Sequence, residues 1–187
     1  MVKKELIKEI IRDFHRENLP ESKSRDLSIN VDTNKIITIT GVRRCGKTYM
    51  LFETIKKLLS NGIDKNMILY LNLEDERLEL KTEELDLIIQ AYRELYPDIP
   101  LSQCYFFFDE IQNVMGWERF LRRLYDKLTK NIIITGSNSR LLSKEIATSL
   151  RGRTITYEIF PLSFSEYLRF HNIEALAKVI KQENFLR

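Results

Sequence analysis

The octapeptide Gly41-Val42-Arg43-Arg44-Cys45-Gly46-Lys47-Thr48 constrains this chain more than any other stretch. Two glycines separated by four residues and followed by Lys and Thr let a backbone turn tightly, so that successive N–H groups point inward at phosphate oxygens. Lys47 adds a point charge for the β- and γ-phosphates, and the Thr48 hydroxyl suits a Mg²⁺ ion. The pattern also arises by chance, so its flanks carry the decision. Before it, Lys35-Ile36-Ile37-Thr38-Ile39-Thr40 is a β-branched run that predicts a buried strand. After it, Met50, Leu51, Ile55, Leu58 and Leu59 recur at helical spacing. Strand, glycine loop and helix in that order aim the positive end of a helix dipole at the phosphates. The expected nucleotide-binding set is Gly41, Val42, Arg43, Arg44, Cys45, Gly46, Lys47, Thr48 and Tyr49.

The third predicted strand gives the second signal. Cys104-Tyr105-Phe106-Phe107-Phe108 ends in Asp109-Glu110, which delivers two carboxylates to the strand end where α/β sheets bind ligands. Asp109, with Thr48, is expected to hold Mg²⁺, usually through water, and Glu110 to polarise an attacking water. A fourth strand, Asn131-Ile132-Ile133-Ile134-Thr135-Gly136, leads into Ser137-Asn138-Ser139. These polar residues would reach the γ-phosphate or the water if that strand lies between the first and the third.

Around these motifs, Leu6, Ile7, Ile10, Ile11 and Phe14 mark an amphipathic helix over residues 3–18, expected to pack on the core. Residues 19–34 are polar, hold Pro20, and read as a connector passing near the nucleotide base. Asn61-Gly62 stops the phosphate-loop helix, and Met67-Ile68-Leu69-Tyr70-Leu71-Asn72 reads as the second strand. Thr82 reads as the N-cap of a helix that Pro97 ends. A further helix spans Trp117 to Leu128, with Trp117 as a packing anchor, and another runs from about Arg140 to Leu150. Thr154 to Ile159 forms a fifth strand that Pro161 breaks. Ser163-Phe164-Ser165-Glu166 is a capping box for a short helix to about Phe170, and residues 173–185 look helical as well. His15 and His171 stand among polar neighbours and read as surface residues.

A chain of 187 residues with 43% hydrophobic content accommodates one well-buried α/β domain and little more. The formal net charge of +3 is too small to argue for nucleic acid by itself, but it is unevenly spread. Arg119, Arg122, Arg123, Lys127, Lys130, Arg140, Lys144, Arg151 and Arg153 face only Asp126 and Glu145, a basic surface that suits triphosphate, a neighbouring subunit or nucleic acid. Glu74, Asp75, Glu76, Glu79, Glu83, Glu84 and Asp86 read as a solvated acidic face. Cys45 and Cys104 make neither a disulfide framework nor a metal-ligand spacing, which fits a reduced cytoplasm. Cys45 lies near a helix N-terminus, where a thiolate is favoured, although a small loop filler is the simpler reading. No apolar run approaches the roughly 20 residues needed to span a bilayer, so no membrane association is expected.

Alternating strands and helices imply a parallel three-layer α/β sheet with right-handed crossovers. The phosphate loop, the strand ending in Asp109-Glu110 and the run from Ile132 through Leu168 together resemble the AAA+ superfamily of P-loop ATPases. Leu71-Asn72-Leu73-Glu74-Asp75, Phe108-Asp109-Glu110-Ile111-Gln112, Thr135-Gly136-Ser137-Asn138, Arg151-Gly152-Arg153 and Phe160-Pro161-Leu162-Ser163-Phe164 narrow the resemblance to a prokaryotic AAA-type family of poorly defined function. The resemblance implies a five-stranded parallel sheet of order 5-1-4-3-2, with ATP as the nucleotide. It makes Asn138, or failing it Ser137, a polar sensor for the water. It also makes Arg153, or less so Arg151, the arginine that reaches a neighbouring subunit's γ-phosphate in a homo-oligomer. Arg43-Arg44 departs from the small residues and proline common in such loops, and a local salt bridge competes with the finger reading for Arg153.

Three parts are expected: an amphipathic helix over 1–18, an ATPase core over 19–170 and the start of a lid or linker over 171–187. Family members usually continue into a part resembling a restriction-endonuclease-fold domain, which this sequence does not contain, so a truncated chain or a minimal member is expected. The leading functional expectation is a Mg²⁺-dependent ATPase coupled to a protein or nucleic-acid partner. The alternative is an ATP-dependent switch or scaffold that turns over negligibly without its partner. Phosphotransfer to a small molecule is weaker, because Glu110 beside Asp109 suits water as the acceptor.

Overall fold

The computed structural model describes residues 2–137 and 150–173. Five β-branched and aromatic runs form strands β1 (Ile36–Gly41), β2 (Ile68–Asn72), β3 (Tyr105–Asp109), β4 (Ile132–Ser137) and β5 (Thr154–Ile159). They make one sheet in the order β2-β3-β4-β1-β5, and every neighbouring pair is parallel. This is the expected 5-1-4-3-2 order read from the other edge. Parallel neighbours need crossovers, and the helices α1 (Val2–Arg16), α2 (Lys47–Ser60), α3 (Asp86–Leu95), α4 (Trp117–Lys127) and α5 (Phe164–Phe170) accompany them.

Period-two alternation divides the strand residues between two cores. Ile36, Phe106, Phe108, Ile132 and Ile134 face one core, closed by Ile7 and Ile11 of α1, Ile88 and Tyr92 of α3 and Phe120, Leu121 and Leu124 of α4. Ile37, Ile39, Phe107 and Ile133 face the other, closed by Met50, Leu51, Ile55 and Leu58 of α2. Aromatic rings run through the first core, with Tyr92 edge-on to Phe106 at 5.9 Å and Phe108 edge-on to Phe120 at 5.8 Å. Each such buried side chain contributes about 1.5–3 kcal/mol over its exposed state, so Leu124→Ala, in a fully buried site, costs about 2–5 kcal/mol.

Two local expectations need correction. Thr82 does not cap α3: its hydroxyl donates to the Met115 carbonyl at 2.8 Å, residues Thr82–Glu84 form a separate 3-10 turn, and α3 starts at Asp86. His15 is not a surface residue. It follows Ile7 and Ile11 on the buried stripe of α1, and its ring nitrogens bond the Tyr96 hydroxyl at 2.6 Å and the Ile68 carbonyl at 2.8 Å. Burial lowers its pKa, opposed by the Ile68 hydrogen bond. The acidic stretch keeps its acids outward, Glu74, Glu76, Glu79, Glu83 and Asp86 exposed and four of the seven paired with Arg43, Arg77, Lys3 and Arg123, while Leu78, Leu80 and Leu85 between them are buried. Helices expected over 140–150 and 173–185 lie outside the described residues, apart from Leu150 and Ile173. Among the described residues no helix is long and apolar enough to cross a membrane.

Candidate nucleotide site

The site is assembled at the C-terminal ends of β1, β3 and β4. β1 delivers Gly41, whose neighbours in register are Ser137 on one side and Ile159 on the other. A Cβ at Gly41 would stand 2.2 Å from the Ile159 carbonyl oxygen and 2.7 Å from Cys45 Sγ, so no larger residue fits this exit from the strand. The loop then turns through left-handed Arg44 (φ 65°) and Gly46 (φ 98°), which serves as the N-cap of α2 without a side-chain cap. The first N–H groups of α2 are thereby left to an anion at its positive end.

Lys47, buried, has its Nζ 3.4 Å from the Gly41 and Val42 carbonyls and 3.2 Å from Glu110 Oε1. Asp109 is fully buried, and its carboxylate accepts hydrogen bonds from the hydroxyls of Thr135 and Tyr70. Burial pushes the Asp109 carboxyl above its ordinary value; Thr135 and Thr48 oppose the shift and the Glu110 charge adds to it. Burial likewise pushes the Tyr70 phenol up, reinforced by Asp109. Glu110 sits at φ 50°, its N–H donating to Thr135 Oγ1 at 2.9 Å, and its Oε2 accepts from Gln112 Nε2 at 2.6 Å. Thr135 therefore orients both acids, a role that its strand-end position in the sequence did not reveal.

Lys47, Thr48, Glu110 and Gln112 line one cavity of about 700 Å³, together with Arg43 and Arg44. The donor set fits Mg²⁺: the Thr48 hydroxyl on the cavity wall and the buried Asp109 carboxylate are hard oxygen donors that leave the remaining positions to phosphates and water. Among the described residues no three His, Cys, Asp or Glu form a metal cage. Arg43 is largely exposed and pairs with Glu74 at 2.9 Å across the rim. Tyr49 is half exposed and stacks edge-on against Phe52. Cys45 is buried with Sγ against Gly41, as a loop filler would be.

The connector contributes a residue that the sequence reading missed. Arg25 donates from Nη1 to the Cys45 carbonyl at 3.0 Å, from Nη2 to the Phe160 carbonyl at 2.8 Å and from Nε to Glu166 Oε1 at 2.8 Å. One guanidinium thus ties the phosphate loop to the exit of β5 and to α5. Beside it lies a second cavity of about 420 Å³ that shares Arg44, Gly46 and Tyr49 with the first.

Other expected residues are not gathered here. Of Ser137 the backbone ends β4, and Asn138 lies outside the described residues. Arg151 and Arg153 stand at the opposite end of the sheet. The Ile36 N–H, at the start of β1, donates to the Arg153 carbonyl at 2.7 Å. The six residues of β1 therefore separate Arg153 from the loop by about 20 Å. Arg153 Nε instead meets Asp126 Oδ1 at 3.1 Å. On the basic surface, Arg122 and Arg123 also pair with acids, Asp126 and Asp86.

Residues 33–168 match the family model described as an AAA domain. The chain is 46% identical over 176 residues to an uncharacterized protein of Methanocaldococcus jannaschii, covering 91% of this chain and 36% of that protein. It is 38% identical over 149 residues to an uncharacterized protein of Haemophilus influenzae, covering 80% and 37%. The chain thus spans little more than a third of these curated relatives. Among solved structures it is similar to AMPPCP-bound DnaA from Aquifex aeolicus, with TM-score 0.47, 16% identity and coverage of 91% of this chain and 49% of that one. It is also similar to PCH-2 from C. elegans, with TM-score 0.46, 16% identity and coverage of 95% and 48%.

Proposed function

The chain belongs to the AAA domain family, and from that premise we propose that it binds ATP with Mg²⁺ and hydrolyses the γ-phosphate to drive a change in a partner or in its own assembly. The observation that carries this reading is the convergence of Lys47, Thr48 and Glu110 on one cavity at the N-terminus of α2, with the buried Asp109 next to Glu110 at the end of β3. The backbone from Gly41 to Thr48 cradles the phosphates, and Lys47 neutralises charge on the β- and γ-phosphates. Val42, Arg43, Arg44, Cys45, Gly46 and Tyr49 complete the contact set. The base is assigned to the second cavity, beside the connector. Thr48 and Asp109 would hold Mg²⁺, which would supply Lewis-acid charge stabilisation to the phosphates when bound.

Glu110 takes a proton from water as the water oxygen bonds to the γ-phosphorus. The bond from that phosphorus to the bridging oxygen breaks, and ADP leaves with the electron pair. Positioning and charge neutralisation supply the rate. Asn138, or failing it Ser137, would contact the water or the γ-phosphate. The core spans 19–170, with 1–18 a helix docked on it.

A second reading is favoured by one observation. Arg153 lies about 20 Å from its own loop and is held by Asp126, so for it, or for Arg151 beside it, to act on a γ-phosphate a neighbour or partner would have to complete the site. Such a chain behaves as an ATP-loaded switch until assembled. Phosphate release from Mg-ATP by wild type and Glu110→Gln, titrated over protein concentration with and without DNA, separates the readings. Turnover that needs Glu110 and rises per molecule with concentration supports a self-assembling ATPase, and a response to DNA identifies nucleic acid as the partner. Tight ATP binding without turnover supports the switch. Absence of ATP binding would overturn both.

A further inference from the structure

Gln112 occupies a position that the chemistry above does not use. β3 ends at Asp109, and the chain reverses at Glu110 into a 3-10 turn over Ile111–Asn113. Ile111 is fully buried, Asn113 N–H donates to the Glu110 carbonyl at 3.1 Å, and Val114 N–H donates to the Ile111 carbonyl at 3.2 Å. These contacts fix Gln112 on the cavity wall. A carboxylate only accepts hydrogen bonds, so the Gln112 amide nitrogen must be the group facing Glu110 Oε2 at 2.6 Å. Glu110 Oε1 has a different partner, Lys47 Nζ at 3.2 Å. One oxygen is thus held by a side chain on an anchored turn, and the other by a lysine on a flexible stem that phosphate will claim. Among the described residues, Gln112 Oε1 is itself buried without a partner, which leaves an acceptor for a donor entering with the ligand.

We propose that Gln112 is a positioning residue for Glu110, an inference that rests on reading Glu110 as the group that polarises water. When Lys47 turns to the phosphates, the Gln112 amide keeps Oε2 in place, so that Oε1 is freed at a defined point facing the water. Without the amide, the Glu110 carboxylate swings, and its attraction to Lys47 draws it toward the cation and away from the water.

The test is steady-state phosphate release and ATP-analogue affinity for wild type, Gln112→Met, Glu110→Gln and the double variant. Met keeps the length of the side chain and removes the amide. Gln112→Met is expected to lose about 10- to 100-fold in kcat while KM and analogue affinity stay within about twofold of wild type, since the change acts through Glu110 and not on phosphate binding. The double variant should be no slower than Glu110→Gln alone. Wild-type kcat in Gln112→Met beside a silent Glu110→Gln overturns the proposal and leaves the role of Glu110 intact. Wild-type turnover in Glu110→Gln overturns the role of Glu110 and the proposal with it. If the wild type does not turn over alone, a crystal structure with Mg²⁺ and a non-hydrolysable ATP analogue decides. Gln112 Nε2 within about 3 Å of Glu110 Oε2, with Lys47 departed from Oε1, supports the proposal. A broken Gln112 contact with the Lys47 pair intact overturns it.

Discussion

Lys47 Nζ lies 3.2 Å from Glu110 Oε1, and both side chains are largely shielded from water. A buried cation needs a counter-charge, so the acid assigned to water also neutralises the lysine assigned to phosphate. Lys47→Ala should weaken ATP binding by at least about 100-fold. Glu110→Gln should bind ATP at least as tightly as wild type, because Lys47 is no longer shared, and turn over about 100-fold more slowly. Fluorescent-nucleotide titration and phosphate release measure the two effects separately. Equal losses of binding in both variants would refute this division of roles.

Gly41 is a packing constraint as much as a loop residue. Its substitution by Ala places a methyl 2.2 Å from the Ile159 carbonyl oxygen, a backbone atom that the β1–β5 register holds. Gly46→Ala meets nothing nearer than Arg25 Nη1 at 3.7 Å and carries only the cost of its φ of 98°, about 1–2 kcal/mol. Gly41→Ala should therefore be the more destabilising by at least about 1–3 kcal/mol, read as the difference in urea midpoints. A smaller loss in Gly41→Ala than in Gly46→Ala would contradict the packing.

The strands were legible in the sequence because β-branched and aromatic runs such as Ile36–Gly41 and Tyr105–Asp109 are buried on both faces, and burial of both faces demands continuous apolar character. The sheet order was not legible locally. It depends on crossovers, and only the resemblance supplied it. Thr82 illustrates the limit of cap rules, since its hydroxyl found the Met115 carbonyl across 33 residues of chain. His15 was readable in principle: Ile7, Ile11 and His15 recur every four residues on α1, which places the half-buried ring at the end of the buried stripe. Within the site, the motif residues followed from their spacing, whereas Gln112 depended on a left-handed turn at Glu110. Arg25 sits in a connector without periodicity, and its partner Glu166 lies 141 residues away.

Arg153 gives a geometric prediction. Its place at the far end of the sheet, paired with Asp126 at 3.1 Å, excludes action on its own loop without a large rearrangement. If it completes a neighbour's site, Arg153→Ala should keep ATP affinity within about twofold and lower turnover by about 10³-fold or more. Mixing it with Glu110→Gln protein should recover part of the activity, since each variant supplies what the other lacks. Asp126→Asn, which releases the arginine, should not reduce turnover. Arg153→Ala with full activity across a range of protein concentrations would make the Asp126 salt bridge its whole role.

The Arg25–Glu166 pair predicts how stability depends on pH. Burial alone would raise the Glu166 carboxyl, but the Arg25 guanidinium and the N–H groups of Asp26 and Ser163 outweigh it and lower the pKa from its ordinary 4.5 to about 2. The unfolded chain then binds the proton first. The stabilisation is full above about pH 5 and is lost as pH falls toward 2, for a total of about 3 kcal/mol. Exposed pairs such as Lys3–Glu84 contribute much less each. Glu166→Gln keeps the shape of the capping side chain and removes its titration, so its urea-unfolding free energy should fall less steeply between pH 5 and pH 3 than that of wild type. Because Arg25 also holds the Cys45 carbonyl, the same variant should loosen the phosphate loop and weaken ATP binding at neutral pH. Parallel stability profiles for the two proteins over this window would show that the clamp contributes nothing through charge.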